Sequence, residues 1–183
     1  LLNNLYVCSL YPSRDGSLWA GLWSGGLFHL VGDRITSYGL EDGLSDLVIL
    51  ALCEDREGGL WIGTYGGGLN YYREGRFTRY GPAQGLSATF VTAIVQDRQG
   101  HLWVGTSGGG LSSLIDGRFQ VYTRQQGLGS DYIRTLYEDT GGCLWVGTAG
   151  GLSRYRHGRF AAITTQHGLP DNVISQVLED DQG

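Results

Sequence analysis

Methionine is missing from this sequence altogether, proline and cysteine occur three times each, and no apolar run is long enough to cross a membrane as a helix. Each shortage narrows what the chain does. Cys8, Cys53 and Cys143 have no C-x-x-C spacing, which indicates neither a disulfide framework nor a zinc site. Cys8 and Cys53 lie in apolar, strand-like runs and are expected to be buried, inert thiols. There is no run of basic residues, and the net charge is −5. Such a chain lacks the positive field that displaces counterions, which argues against nucleic acid and acidic membrane surfaces as partners. No charged-then-apolar leader is visible either, so neither a signal peptide nor membrane insertion is expected of this segment. With no methionine even at position 1, we expect a chain cut from something longer.

What the sequence has in excess is glycine, 32 residues against three prolines. Glycine serves wherever the backbone needs positive φ, so this balance points to many tight turns and short strands rather than disorder. The stretch "LWIGTYGGGL", Leu60 to Leu69, poses the question of whether its glycines cradle a phosphate or merely turn the chain. A repeat decides. The motif "LW[AIV]G" places Trp19, Trp61, Trp103 and Trp145 each 42 residues after the last. Around it recur "RDGSLW", "REGGLW", "RQGHLW" and "TGGCLW", then the glycine turn, then "GDRITSY", "EGRFTRY", "DGRFQVY" and "HGRFAAI". A Gly-Leu pair closes each unit, and the last unit is one residue shorter in its glycine turn. A phosphate loop is a single feature followed by a helix; a glycine run in four copies with no helical period after it is a turn.

Within one unit every local signal is for strand. "FVTAIV", "HLWVGT", "LSSLI" and "RFQVY" are apolar or alternating runs separated by tight turns, the last of them at "DG". Four short antiparallel strands in about 42 residues make one propeller blade. The chain therefore reads as an all-β propeller array of four blades, at about 2–43, 44–85, 86–127 and 128–168, with 169–183 as the first strand of a fifth repeat. The simplest account of that count is a fragment of a larger propeller; a closed ring of four blades and a pair of chains closing eight are the alternatives. Trp19, Trp61, Trp103 and Trp145 read as wedges between blades, each worth about 4–6 kcal/mol at most if fully buried.

The segment "EDREGGLWIGTYGGGLNYYREGRFTRYGPAQGLS" and its copies resemble the two-component regulator propeller repeat of bacterial hybrid histidine kinases and some diguanylate cyclases. The likeness extends over essentially the whole chain. It implies β-propellers of about seven blades, often two in tandem, exposed to the periplasm ahead of a β-sandwich, a membrane helix and signalling domains. It further implies a ligand-sensing or protein-contacting module with no chemistry and no cofactor of its own.

The residues offer no catalytic constellation. "GTSGG" around Ser107 fits a hydrolase pattern, but the matching positions hold Tyr65 and Ala149, and the strand-to-helix elbow is missing. His29, His101, His157 and His167 occupy unrelated positions, and no metal site is indicated. Glu54-Asp55 and Glu138-Asp139 recur before the first hairpin as turn residues. Arg34, Arg76, Arg118 and Arg159 recur at the start of the fourth strand, where charge guards an outer edge. Specificity belongs instead where the repeat varies, on the face shared by the glycine turns and the interblade loops. The candidate ligand-binding residues are Trp23, Tyr65, Arg124, Tyr132 and His167, with Ser107 and Ala149 as further variable positions. The partner expected is a small molecule, a carbohydrate or a peptide. A propeller lyase of the streptogramin-lyase kind, with His167 as its histidine, is the second reading. A self-assembling module joined through exposed blade faces as a homo-oligomer is the third.

Overall fold

A computed structural model describes residues 6–180 of the chain. Its strands form four antiparallel sheets of four, each a simple meander. The first sheet holds β1 (Val7–Pro12), β2 (Leu18–Leu22), β3 (Leu27–Val31) and β4 (Arg34–Tyr38), and the second β5 (Ile49–Glu54), β6 (Leu60–Thr64), β7 (Leu69–Arg73) and β8 (Arg76–Tyr80). The third holds β9 (Val91–Gln96), β10 (Leu102–Thr106), β11 (Leu111–Ile115) and β12 (Arg118–Tyr122). The fourth holds β13 (Ile133–Glu138), β14 (Leu144–Thr148), β15 (Gly151–Arg156) and β16 (Arg159–Ile163). The first strands lie innermost, β1 against β5, β5 against β9 and β9 against β13, so the blades follow one another in an arc. Among the described residues no comparable packing joins β13 back to β1, so the four blades stand as an open arc.

The second strand of each blade carries the core. In "LWIGT" and the "LWVGT" of β10 all five residues are buried, because a blade covers each face. Its glycine is a socket. A Cβ on Gly21, Gly63, Gly105 or Gly147 would stand closer than 3.0 Å to a side chain of the next blade: Ile49, Val91, Ile133 and Ile174 respectively. Only glycine admits the branched side chain this deeply. Beside the socket, in the first two blades, the tryptophan packs on an aromatic cross-strand neighbour: Trp19 stacks on His29 with ring centroids 3.7 Å apart, and Trp61 meets Tyr71 tilted, at 4.4 Å.

Two polar devices repeat with the core. In the second, third and fourth blades the aspartate after the inner strand folds the first hairpin: Asp97 accepts from the N–H groups of Gln99 and His101 and, at 2.8 Å, from the indole Nε1–H of buried Trp103. Asp139 does the same for Cys143 N–H and Trp145 Nε1–H. The residue before it reaches into the preceding blade. Glu54, Gln96, Glu138 and Glu179 accept from the backbone N–H of Arg14, Arg56, Arg98 and Thr140 at 3.1, 3.0, 2.9 and 2.9 Å.

The fifth repeat departs from expectation. Residues 173–180 form no strand, since the second strand that would pair with them is not in the chain. They nevertheless keep the blade register: Ile174 N–H donates to Thr148 O at 3.0 Å, Ile174 fills the Gly147 socket, and Glu179 holds Thr140. Residues 181–183, and the residues ahead of Tyr6 assigned to the first blade, lie outside the described residues. Two burial expectations are corrected. Cys8 is exposed, as the residue that drops out of the pairing of β1 with β2, the position held in the fourth blade by exposed Arg134. Trp145 is only half-buried, opening on a cavity of about 380 Å³ lined by Tyr137, Leu152, Val177 and Leu178. Cys53 is buried as expected, and burial pushes its thiol up to about 11.

Burial alone would raise the Asp139 carboxyl, but the hydrogen bonds from Cys143 and Trp145 outweigh it and hold the group below its ordinary value. A carboxyl depressed on folding contributes stability above its unfolded value, here about 4, and loses that contribution as pH falls through the folded value. In urea melts at neutral pH, Asp97→Ala and Asp139→Ala are each expected to cost about 2–4 kcal/mol by unpairing buried N–H groups. For Asp139→Ala the deficit against the wild type shrinks once the pH drops below about 4.

Candidate functional site

The glycine turns after β2, β6, β10 and β14 and the connections between blades emerge at the same end. Backbone bonds tie them together: Trp23 N–H to Tyr6 O, Tyr65 to Val48, Ser107 to Phe90 and Ala149 to Tyr132, at 2.9, 3.1, 2.9 and 3.0 Å. The turns are built for compactness. Gly68 and Gly110 sit at φ 82° and 80°, where a Cβ would strike the carbonyl oxygen of Tyr80 or Tyr122. Buried Thr64, Thr106 and Thr148 donate their hydroxyls to the carbonyls of Gly68, Gly110 and Gly151 at 2.8, 2.8 and 2.7 Å. In the "YGGG" turn the N–H groups of Gly66, Gly67 and Gly68 go to Asp46, Thr64 and Thr89. These amides are committed within the protein, so the turn presents no anion cradle.

Each connection contains a short 3-10 turn that the sequence reading did not anticipate: Leu40–Asp42, Pro82–Gln84, Arg124–Gln126 and Thr165–His167. The third residue of each folds back to cap the first N–H: Asp42 to Gly39, Gln84 to Gly81, Gln126 to Thr123 and His167 to Thr164, the last at 3.1 Å to Nδ1. His167 thus stands where the other blades hold Asp or Gln, as a cap. Arg124 opens the third of these turns, exposed, its backbone N–H bound to Asp131.

On this rim three of the proposed residues meet a neighbour that was not proposed. Trp23 and Tyr65 have ring centroids 6.0 Å apart, edge to face, and Tyr65 lies 4.4 Å from Phe90. Tyr132 follows in the next blade, beside Gly108. Trp23, Tyr65 and Tyr132 are 49%, 47% and 57% exposed. Phe90 and Tyr132 also flank a cavity of about 480 Å³ on the inner wall, which Thr92, Ser107, Arg134 and Ser175 complete. Arg124 and His167 do not line it.

Three other cavities are copies of one groove at the opposite end. They lie beside Trp19 and Glu54, beside Trp103 and Glu138, and beside Trp145 and Glu179. That groove recurs in the first, third and fourth blades, whereas the inner-wall cavity is lined by residues that change from blade to blade. No cluster among the described residues is suited to hold a metal ion.

The family model described as two component regulator propeller matches residues 43–66, 85–108 and 127–150, three of the four turn-and-strand units just described. Three of the chain's blades thus carry the two component regulator propeller repeat. Among solved structures, the chain matches the extracellular domain of a hybrid two-component system from B. thetaiotaomicron over 98% of its own length, at 25% identity and a TM-score of 0.87. It covers 26% of that chain, so this propeller segment spans about a quarter of the matched domain. A second extracellular domain of a hybrid system from the same organism matches at 22% identity and a TM-score of 0.80, with 98% of this chain and 28% of that one covered. Virginiamycin B lyase from Staphylococcus aureus matches at 17% identity and a TM-score of 0.74, over 89% of this chain and 57% of the enzyme. At these lower identities the likeness is one of fold. No curated protein matches by sequence.

The regulator-propeller cap at His167 makes a test. His167→Gln is expected to leave the melting temperature within experimental error of wild type, and His167→Ala to cost about 0.5–1 kcal/mol, as loss of a helix cap does. Both are read by thermal denaturation followed by circular dichroism.

Proposed function

We propose that this propeller segment is a non-enzymatic recognition module of an extracytoplasmic signalling receptor, capturing its ligand at the rim where glycine turns and interblade connections emerge. The observation that carries the reading is the aromatic row Trp23, Tyr65, Phe90 and Tyr132, partly exposed beside a cavity lined by residues that differ between blades. Aromatic faces fixed on a rigid sheet bury ring or side-chain surface at little cost in conformational entropy. Each face in the row is held by backbone bonds within its blade, so the platform is preformed. The extracellular setting of the matched receptor domains supports the placement outside the cytoplasm. Signal output belongs to domains other than the propeller, with the rim as the input.

The streptogramin-lyase reading needs a histidine poised over substrate, and the one proposed for it, His167, is engaged through Nδ1 as a turn cap. Recognition without turnover is the simpler account of the same fold.

Trp23 stands on the rim while Trp19, Trp61 and Trp103 are buried, so in a Trp145→Phe background, which removes the other half-exposed indole, a change in exposed-tryptophan emission reports rim occupancy. Titrating a panel of soluble oligosaccharides and short peptides is expected to give at least one saturable change. The combined variant Tyr65→Ala, Phe90→Ala is expected to weaken that same ligand about tenfold or more, matching loss of one to two stacked faces. A ligand that binds the variant and the wild type equally would move recognition off the rim.

A further inference from the structure

Every inner strand carries an irregularity in its pairing with the second strand, at Cys8, Leu50, Thr92 and Arg134 in successive blades. A bulge leaves one residue out of the ladder and re-aims its side chain. In the fourth blade that residue is an arginine, and it lines the inner-wall cavity with Tyr132, Phe90, Ser107 and Ser175. No carboxylate lines this cavity. Among the described residues, the side chains of Arg134, Ser107 and Ser175 have no hydrogen-bonding or ionic partner. Other arginines with free side chains stand on the surface of the blades; Arg134 is the arginine that lines the inner-wall cavity.

An unpaired guanidinium fork beside two aromatic rings and two free hydroxyls is a specific combination. The fork matches a carboxylate through two parallel N–H donors. The rings offer a face to the apolar side of a ligand ring. Two hydroxyls beside the charge favour a polyhydroxylated ring over a purely apolar acid, which would leave them without partners.

We propose that the inner-wall cavity takes an acidic sugar, its carboxylate held by Arg134, its ring laid on Phe90 or Tyr132, and its hydroxyls met by Ser107 and Ser175. This rests on the reading of the rim as the recognition surface and adds the chemistry of the ligand. The bulge supplies the position in every blade; Arg134 alone of the four bulged residues supplies charge.

The test is calorimetric titration of the chain with a trimer of galacturonic acid and with the neutral galactose trimer of the same linkage. The wild type is expected to bind the acidic trimer at least tenfold more tightly than the neutral one. Arg134→Gln, at an exposed position, should keep its melting temperature and lose that preference by weakening the acidic trimer alone. Tyr132→Ala should weaken both. Equal binding of the two trimers by the wild type, or a preference that survives in Arg134→Gln, overturns the charge assignment. If both trimers still bind and Tyr132→Ala weakens them, the rim reading stands without it. No binding of either trimer overturns the acidic-sugar proposal, and the rim reading is then decided by the response of Trp23 to the wider panel.

Discussion

The contact on which the rest of this structure depends is the branched side chain of one blade seated on the bare backbone of the blade before it. Ile49 on Gly21, Val91 on Gly63, Ile133 on Gly105 and Ile174 on Gly147 set the spacing of the inner strands. Burying such a side chain is worth about 1.5–3 kcal/mol, and the tryptophan, its stacked neighbour and the Asp hairpin all sit around the same socket. A blade without its neighbour leaves that surface in water. Val7, Leu10 and Val31 at one end of the arc, with Trp145 and Leu178 at the other, show what an uncovered blade exposes. Stability in such an array is a sum of nearest-neighbour interfaces, so each added blade satisfies the last one.

That division of labour explains where specificity is free to arise. Positions that touch the next blade are fixed by packing: the socket glycine, the threonine that ties the turn, and the residue that reaches across to the preceding hairpin. The rim positions touch little beyond their own turn. Trp23, Tyr65, Ser107 and Ala149 share one backbone bond and no side-chain role, so the repeat imposes no chemistry on them. The bulged residues Cys8, Leu50 and Arg134, which have left the ladder, are likewise free to vary, whereas Thr92 at the same place donates its hydroxyl to Ile133 O of the next blade.

The parts that repeat were legible in the sequence, since four copies of one contact leave four copies of one residue. Strand order, the glycine turns and the buried tryptophans all came from the 42-residue period. What did not repeat was harder to read. Phe90 and Arg134 lie in runs that look like ordinary strand, and the bulge that turns Arg134 inward breaks the alternation by which strand faces are read. The burial of Cys8 was overestimated because it drops out of the ladder, and that of Trp145 because the period describes an interior blade and β14 lies at an end of the arc. The segment 173–180 has a strand's residues without a strand's partner, a case where tertiary context decides over local pattern. The 3-10 caps at Asp42, Gln84, Gln126 and His167 carried a visible signal, a capping residue three positions after Gly or Thr, and that signal places His167 among structural residues.

The most direct test of the socket account is a double-mutant cycle between Gly105 and Ile133, measured by urea denaturation. Gly105→Ala is expected to destabilise by about 1–3 kcal/mol through overpacking, and Ile133→Ala by about 2–5 kcal/mol through lost burial. If the socket is the controlling contact, the double variant loses at least about 1 kcal/mol less than the two single losses combined, because the alanine methyl enters space that Ile133 has vacated. Losses that add to within about 0.5 kcal/mol would show that the two residues act independently, and would contradict the account.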